Sequence, residues 1–140
     1  MIKANEYTDK LTEYLTNFAN SGSMDLVTLH FLRNTQNGSD KVYVLGILRN
    51  KRYLDKPDTH APSYKVWGWW GKYGSYSLNN QEKDVCGNEE TASDILLGFR
   101  YKKVNKGYDV IDVRNRKFFN DKICSEREAL SYVNGLLESM

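Results

Sequence analysis

Cysteine and proline are scarce: two of each in 140 residues leave no disulfide framework and no proline-rich linker to build on. Cys86 and Cys124 belong to no CxxC or Cys/His cluster, so no zinc site is expected and a reduced, cytoplasmic setting fits. Histidine is equally sparse. His30 stands inside an apolar stretch and reads as structural, while His60 lies between prolines and reads as surface. There is no HExxH, P-loop or GxGxxG run, and no Ser, Cys or carboxylate at triad spacing. A non-catalytic protein without metal or cofactor is therefore expected. No apolar run approaches the length of about 18 residues that spans a bilayer. The opening Met-Ile-Lys-Ala-Asn-Glu also lacks the basic-then-apolar build of a signal peptide, so the chain is expected neither to be exported by a visible signal nor to meet a membrane.

The chain does have a core and rings to spare. Hydrophobic residues make up 40% and charged residues 27%, and the length suits a single domain over 1–140. Ten Tyr against three Trp and five Phe give many rings a polar handle, which suits a binding surface. Net charge is only +2, but it is unevenly spread. Residues 41–73 carry seven Lys or Arg against two Asp, and residues 96–122 carry eight against three. One basic face follows if those segments lie side by side. Lys (13) outnumbers Arg (7) and Asn is abundant, a bias typical of AT-rich bacterial or phage genomes.

Tyr7, Leu11, Tyr14, Leu15 and Phe18 recur at intervals of three and four, predicting an amphipathic helix over 5–19. Strands are expected over 26–32 and 41–49 as an antiparallel hairpin, around the turn-prone Asn34-Thr-Gln-Asn-Gly-Ser-Asp. Residues 49–63 read as a long exposed loop. A third strand follows over 64–70, a short fourth over 76–78, and a loop over 79–87. Asn88 as N-cap, Glu89 and Glu90 in the first turn, and Ala92, Ile95, Leu96, Phe99 and Val104 as an apolar stripe predict a helix over 89–103. Extended structure resumes at 108–114. Ser125-Glu-Arg-Glu128 is a capping-box pattern ahead of Ala129, Leu130, Val133, Leu136 and Leu137, predicting a final helix.

Alternation puts Trp67 and Trp69 on one face of the third strand and Trp70 with Val66 on the other. Burial is the commoner fate of any one indole here. Lys51, Arg52 and Lys56 are loop cations, a solvated surface by default. Lys102, Lys103 and Lys106 are equally explained by the dipole at a helix C-terminus. Arg114, Arg116 and Lys117 beside Phe118 and Phe119 form a basic and aromatic cluster that contacts nucleic acid or simply covers an edge strand.

The centre of the chain resembles the WGR domain, named for its Trp-Gly-Arg signature and found in DNA-damage-responsive poly(ADP-ribose) polymerases. Trp70-Gly71-Lys72 stands at the signature. Lys41-Val-Tyr-Val-Leu-Gly-Ile-Leu matches the leading strand, Tyr64-Lys-Val-Trp-Gly-Trp-Trp-Gly-Lys-Tyr-Gly the core, and the stretch from Ala92 to Tyr108 the closing helix and its aromatic end. The resemblance covers about 40–112, with N-terminal (1–39) and C-terminal (113–140) extensions. It implies an α+β fold: a twisted antiparallel sheet with a helix packed across it, here with added N-terminal and C-terminal helices. It further implies DNA contact, at ends or breaks included, with Trp70 packing on sugar and base and Lys72 engaging the backbone. Lys72 replaces the family's Arg and cannot form a planar bidentate fork, Tyr73 stands where a small aliphatic residue is usual, and the loop over 49–63 is longer than typical. No polymerase catalytic domain follows within the chain, so ADP-ribosyl transfer is not expected.

The expected function is DNA binding through Trp70, Gly71, Lys72, Lys51, Arg52, Lys65, Lys102, Lys103, Lys106, Arg114 and Arg116. The alternative is a protein-interaction adaptor, whose partner belongs to a DNA-processing complex, or a phage-encoded modulator of one.

Overall fold

The computed structural model describes residues 4–50, 63–116 and 123–125, with position 134 besides. Helix α1 (Ala4–Ser21) leads into strand β1 (Met24–Asn34), a single 3-10 turn at Gln36–Gly38 and strand β2 (Lys41–Asn50). Strands β3 (Tyr64–Lys72) and β4 (Asn79–Cys86), helix α2 (Glu89–Asn105), and strands β5 (Asp109–Asn115) and β6 (Cys124–Ser125) follow. The strands form one antiparallel six-stranded sheet in the order β4-β3-β2-β1-β5-β6. This is an α+β fold with a helix against each face. Among the described residues no helix is long and apolar enough to cross a membrane.

Burial on both faces explains why β1 and β2 read as nearly unbroken apolar runs. On one face Tyr7, Leu11, Leu15 and Ala19 of α1 pack on Leu29, Phe31, Val42, Val44 and Trp69. On the other, Ala92 and Leu96 of α2 pack on Leu32, Tyr43, Leu45, Ile47 and Val66. A bulge between Leu26 and Thr28 shifts the phase of β1, so that Leu26 and Leu29 serve the first core and Val27 and Leu32 the second. The three indoles divide as alternation requires: Trp67 and Trp69 face α1, Trp70 faces α2.

Buried ion pairs lock the layers together. Arg114, 7% exposed in its side chain, donates to Asp112 at 3.0 Å and to Asp9 and Thr8 of α1. Asp25 accepts from both Arg49, at 3.0 Å, and Arg116. At the other end the Tyr7 hydroxyl donates to the Ser75 carbonyl at 2.7 Å, and its ring packs on Tyr73 and Tyr76.

Several expectations are corrected. Residues 79–87 are not a loop: β4 occupies Asn79–Cys86, and no strand forms over 76–78. As an edge strand with mostly exposed side chains, β4 is held by main-chain pairing and carries no apolar alternation to betray it. Helix α2 runs on to Asn105, and Val104, counted into its apolar stripe, is exposed. Tyr14 is likewise mostly exposed, its ring stacked on Tyr76 at 5.3 Å. Strand β1, assigned to an N-terminal extension, lies between β2 and β5 in the middle of the sheet. The final helix predicted after Ser125 and the loop cations of residues 51–62 lie outside the described residues.

Two measurements probe this packing. A Cβ on Gly46 would meet the Trp69 ring at 2.8 Å and Leu29 at 3.1 Å, whereas one on Gly98 of α2 would meet nothing within 4 Å. Urea unfolding should show Gly46→Ala losing about 1–3 kcal/mol and Gly98→Ala gaining about 0.5–1 kcal/mol. Buried His30 accepts from Arg100 at Nδ1 (3.1 Å), and burial, reinforced by that guanidinium, pushes its pKa down to about 4 from 6.5. The unfolded chain then takes up a proton that the folded one refuses. Stability should be close to full above pH 6.5 and fall as pH drops toward 4, most steeply in the middle of that window, where the unfolded imidazole is protonated and the folded one is not. Urea midpoints between pH 7 and 5 should decline in the native chain and stay much flatter in His30→Gln; equal slopes would exclude His30 as the cause.

Candidate functional site

The register of three strands assembles a basic, aromatic groove on the α2 side of the sheet. Tyr43 of β2 is directly opposite Trp70 of β3, and the rings lie nearly parallel at 12° with centroids 5.8 Å apart. Gly68, two residues before Trp70 on the same face, makes this possible: a Cβ there would meet the Tyr43 hydroxyl at 2.8 Å and Lys83 Cε at 3.0 Å. The next pair along the same face is Lys41 opposite Lys72, both exposed.

The neighbouring elements add cations and a third ring. Between the pairs Val66–Asp84 and Trp67–Glu82 the register of β4 slips, leaving Lys83 as the extra residue of a bulge. That local kink aims its ammonium 5.1 Å from the Trp70 ring centroid. Helix α2 ends in a Schellman arrangement, with Tyr108 N–H donating to Lys103 C=O at 3.2 Å and Gly107 N–H to Val104 C=O at 3.0 Å. Gly107 has φ +104, and the Gln36 side chain of the 3-10 turn fills the place of its missing Cβ. This ending brings Lys103 Nζ to 4.2 Å from the Tyr43 centroid and sets Tyr108 edge-on to Tyr43.

The result is a groove of about 730 Å³ with Tyr43, Trp70 and Tyr108 as its rings and Lys41, Lys72, Lys83 and Lys103 as its charges. Among the described residues none of the four ammoniums forms an ion pair with a carboxylate. The one carboxylate at the groove, Asp40, is held by Arg33 through two contacts of 2.8 Å, and that hydrogen bond keeps its pKa below the usual carboxylate value. Burial, then the charges of Lys106 and Lys83, lowers the Lys103 pKa, while the Tyr43 face offsets part of the cost. Burial and Tyr43 raise the Tyr108 hydroxyl. Such a site is concave, positively charged and floored by flat rings, and it is suited to a flat anionic ligand.

The expected residues part company here. Trp70, Gly71, Lys72 and Lys103 line the groove. Gly71 is close-packed for an internal reason, since a Cβ would meet Leu78 at 2.9 Å. Lys65 projects from the α1 face of β3 and pairs with Glu82 at 3.0 Å. Lys102 is exposed on α2 near the Phe99 ring, and Lys106 caps that helix without lining the groove. Arg114 and Arg116 are built into the interior ion pairs, so the basic and aromatic cluster expected there turns inward at its two described cations. Lys51 and Arg52 lie outside the described residues, as do Lys117, Phe118 and Phe119.

Lys41, Tyr43, Lys83 and Tyr108 were missed as site residues. The first two share the face of Trp70 by alternation, a signal present in the sequence once the hairpin register is known. Lys83 gave no signal, being in a net acidic segment read as loop. No family model matches the chain, and neither the search of curated proteins nor that of solved structures gives a match.

Gly68→Ala tests whether the paired rings define the groove. The new methyl should displace Tyr43 and Lys83, costing about 1–3 kcal/mol in urea unfolding and altering the near-ultraviolet circular dichroism of the aromatic pair. An unchanged spectrum and midpoint would mean that Tyr43 does not lie over Gly68.

Proposed function

We propose that the chain is a non-catalytic DNA-binding protein that takes its ligand into the groove of Tyr43, Trp70 and Tyr108. The observation that carries this reading is the set of four lysines around paired rings, none in an ion pair with a carboxylate among the described residues, in a protein of net charge only +2. Cations left unneutralised at one place in a nearly balanced molecule attract an anion, and base stacking on an aromatic face contributes about 1–3 kcal/mol whatever the base. The WGR-like blocks of the sequence agree with it: the leading strand, the Trp70-Gly71-Lys72 signature and the closing helix correspond to β2, β3 and α2, the elements that wall this groove. Lys72 then serves the backbone as a point charge rather than as a fork.

A protein-interaction role is the second reading. Leu97, Tyr101 and Val104, at i, i+4 and i+7 of α2, are all exposed and form an apolar stripe on that helix. Salt separates the two, because phosphate contacts make affinity fall steeply with ionic strength and an apolar stripe does not.

The test is fluorescence anisotropy of labelled nicked duplex and of labelled single strand, each over a salt series, with the native chain and Trp70→Ala, judged on whichever DNA binds more tightly. Native binding should be salt-steep. The variant, still folded by circular dichroism, should bind about tenfold to a hundredfold more weakly. Equal binding by the variant, or a salt-independent affinity, would remove the groove from DNA recognition.

A further inference from the structure

Lys41 and Lys72 are directly opposite one another on adjacent strands, both on the α2 face and both exposed. Like charges in that relation destabilise a sheet. The adjacent carboxylate relieves them only in part, because Asp40 is held by Arg33 in a two-contact pair and acts on Lys72 by its charge without an ion pair among the described residues. The fold thus carries an incompletely compensated pair of cations at one end of the groove, and an anion between them would ease the repulsion.

The ring pair Tyr43–Trp70 is the next tier on the same face, two residues along the strands. At the strand rise of about 3.3–3.4 Å per residue, the tiers are about 7 Å apart. That is the order of the reach from the middle of a nucleobase to the phosphate of the same nucleotide. The rings are also recessed. Gly38, Ser39 and Asp40 line the groove with Lys103 and Tyr108, the turn meeting the end of α2 where Gln36 fills the space at Gly107, and Gln81 and Lys83 of β4 line it beyond β3. Bases inside a duplex are stacked on both faces and offer only their edges, and the pair ending a blunt duplex is too wide to descend between such walls. An unpaired base does both: it presents a free face and is narrow enough to enter. Lys83, whose ammonium donates to the exposed Gln81 side chain at 3.0 Å, and Lys103 stand on flexible stems over the rings, and both can exchange these contacts for the flanking phosphates.

We propose that the groove selects single-stranded DNA, one base laid on the partly exposed Trp70, which buried Tyr43 backs, and its phosphate held between Lys41 and Lys72. This rests on the DNA-binding reading of the same groove.

The experiment is a competition by anisotropy at low salt, with a short labelled oligothymidylate as probe and unlabelled oligothymidylate, blunt hairpin duplex and end-closed dumbbell as competitors. The single strand should compete about tenfold or more better than either duplex form. Lys41→Gln/Lys72→Gln should weaken the single strand about tenfold and lower the slope of log affinity against log salt by roughly 0.7 for the phosphate lost. Its melting temperature should not fall, because a repulsive pair has been removed. A duplex that competes as well as the single strand, with Trp70→Ala still defective, would overturn the single-strand selection and leave the DNA reading standing. Unchanged affinity in the double lysine variant would overturn the phosphate clamp. No binding of any DNA by the native chain would overturn both readings together.

Discussion

Everything else in the molecule depends on the register of β3 against β2. Val44 opposite Trp69 belongs to the core under α1, and Tyr43 opposite Trp70 belongs to the groove beside α2. Because side chains alternate strictly along a strand, a slip of β3 by one residue would carry Trp69 out of its core and turn Lys72 toward the α1 face. Two glycines hold the register sterically. Gly46 leaves room for the Trp69 ring on one face, and Gly68 leaves room for Tyr43 on the other. The two faces are thus specified together, and the core under α1 stabilises the geometry of the groove.

The distribution of arginine and lysine follows from the same layering. Four arginines, Arg33, Arg49, Arg114 and Arg116, are each paired with aspartate, and they tie α1, β1, β2 and β5 together. Their forked guanidiniums satisfy carboxylates within a crowded structure, where removing one partner would leave a charge stranded at a cost of about 3–5 kcal/mol at the most buried of them. The groove uses lysine instead, each ammonium on a flexible stem and without an ion-paired carboxylate. A net charge near zero therefore conceals, among the described residues, a contrast between arginines paired with aspartate and groove lysines that form no ion pair.

Construction of the groove needs three local irregularities beyond regular strands and a helix. The bulge at Lys83, the Schellman ending at Gly107 and the 3-10 turn at Gln36–Gly38 each redirect a side chain or close a wall. Each involves a short polar stretch; the turn and the helix ending close on local hydrogen bonds, while the bulge is set by pairing with β3 and the turn meets the helix ending only in the folded chain. Gln36 reaching into the space left by Gly107 is the plainest case.

The order of α1, β1, β2, β3 and α2, the division of the three tryptophans between two faces and the N-cap at Asn88 were all legible from periodicity and capping chemistry, because each depends on neighbours only a few residues away. So were Trp70, Lys72 and Lys103 as members of a basic and aromatic site. Strand β4 was not, since an exposed edge strand is held by main-chain bonds that leave no apolar pattern. Nor could a sequence distinguish the cations that leave the surface from those that stay: Arg114 and Lys103 are alike in a charge count, and only the packing of α1 against β5 and of α2 against β2 turns one inward and the other over Tyr43. Local periodicity determined which elements form and which face each residue takes, while long-range pairing alone decided which charges meet, because Coulomb and stacking energies depend on distances across strands rather than along them.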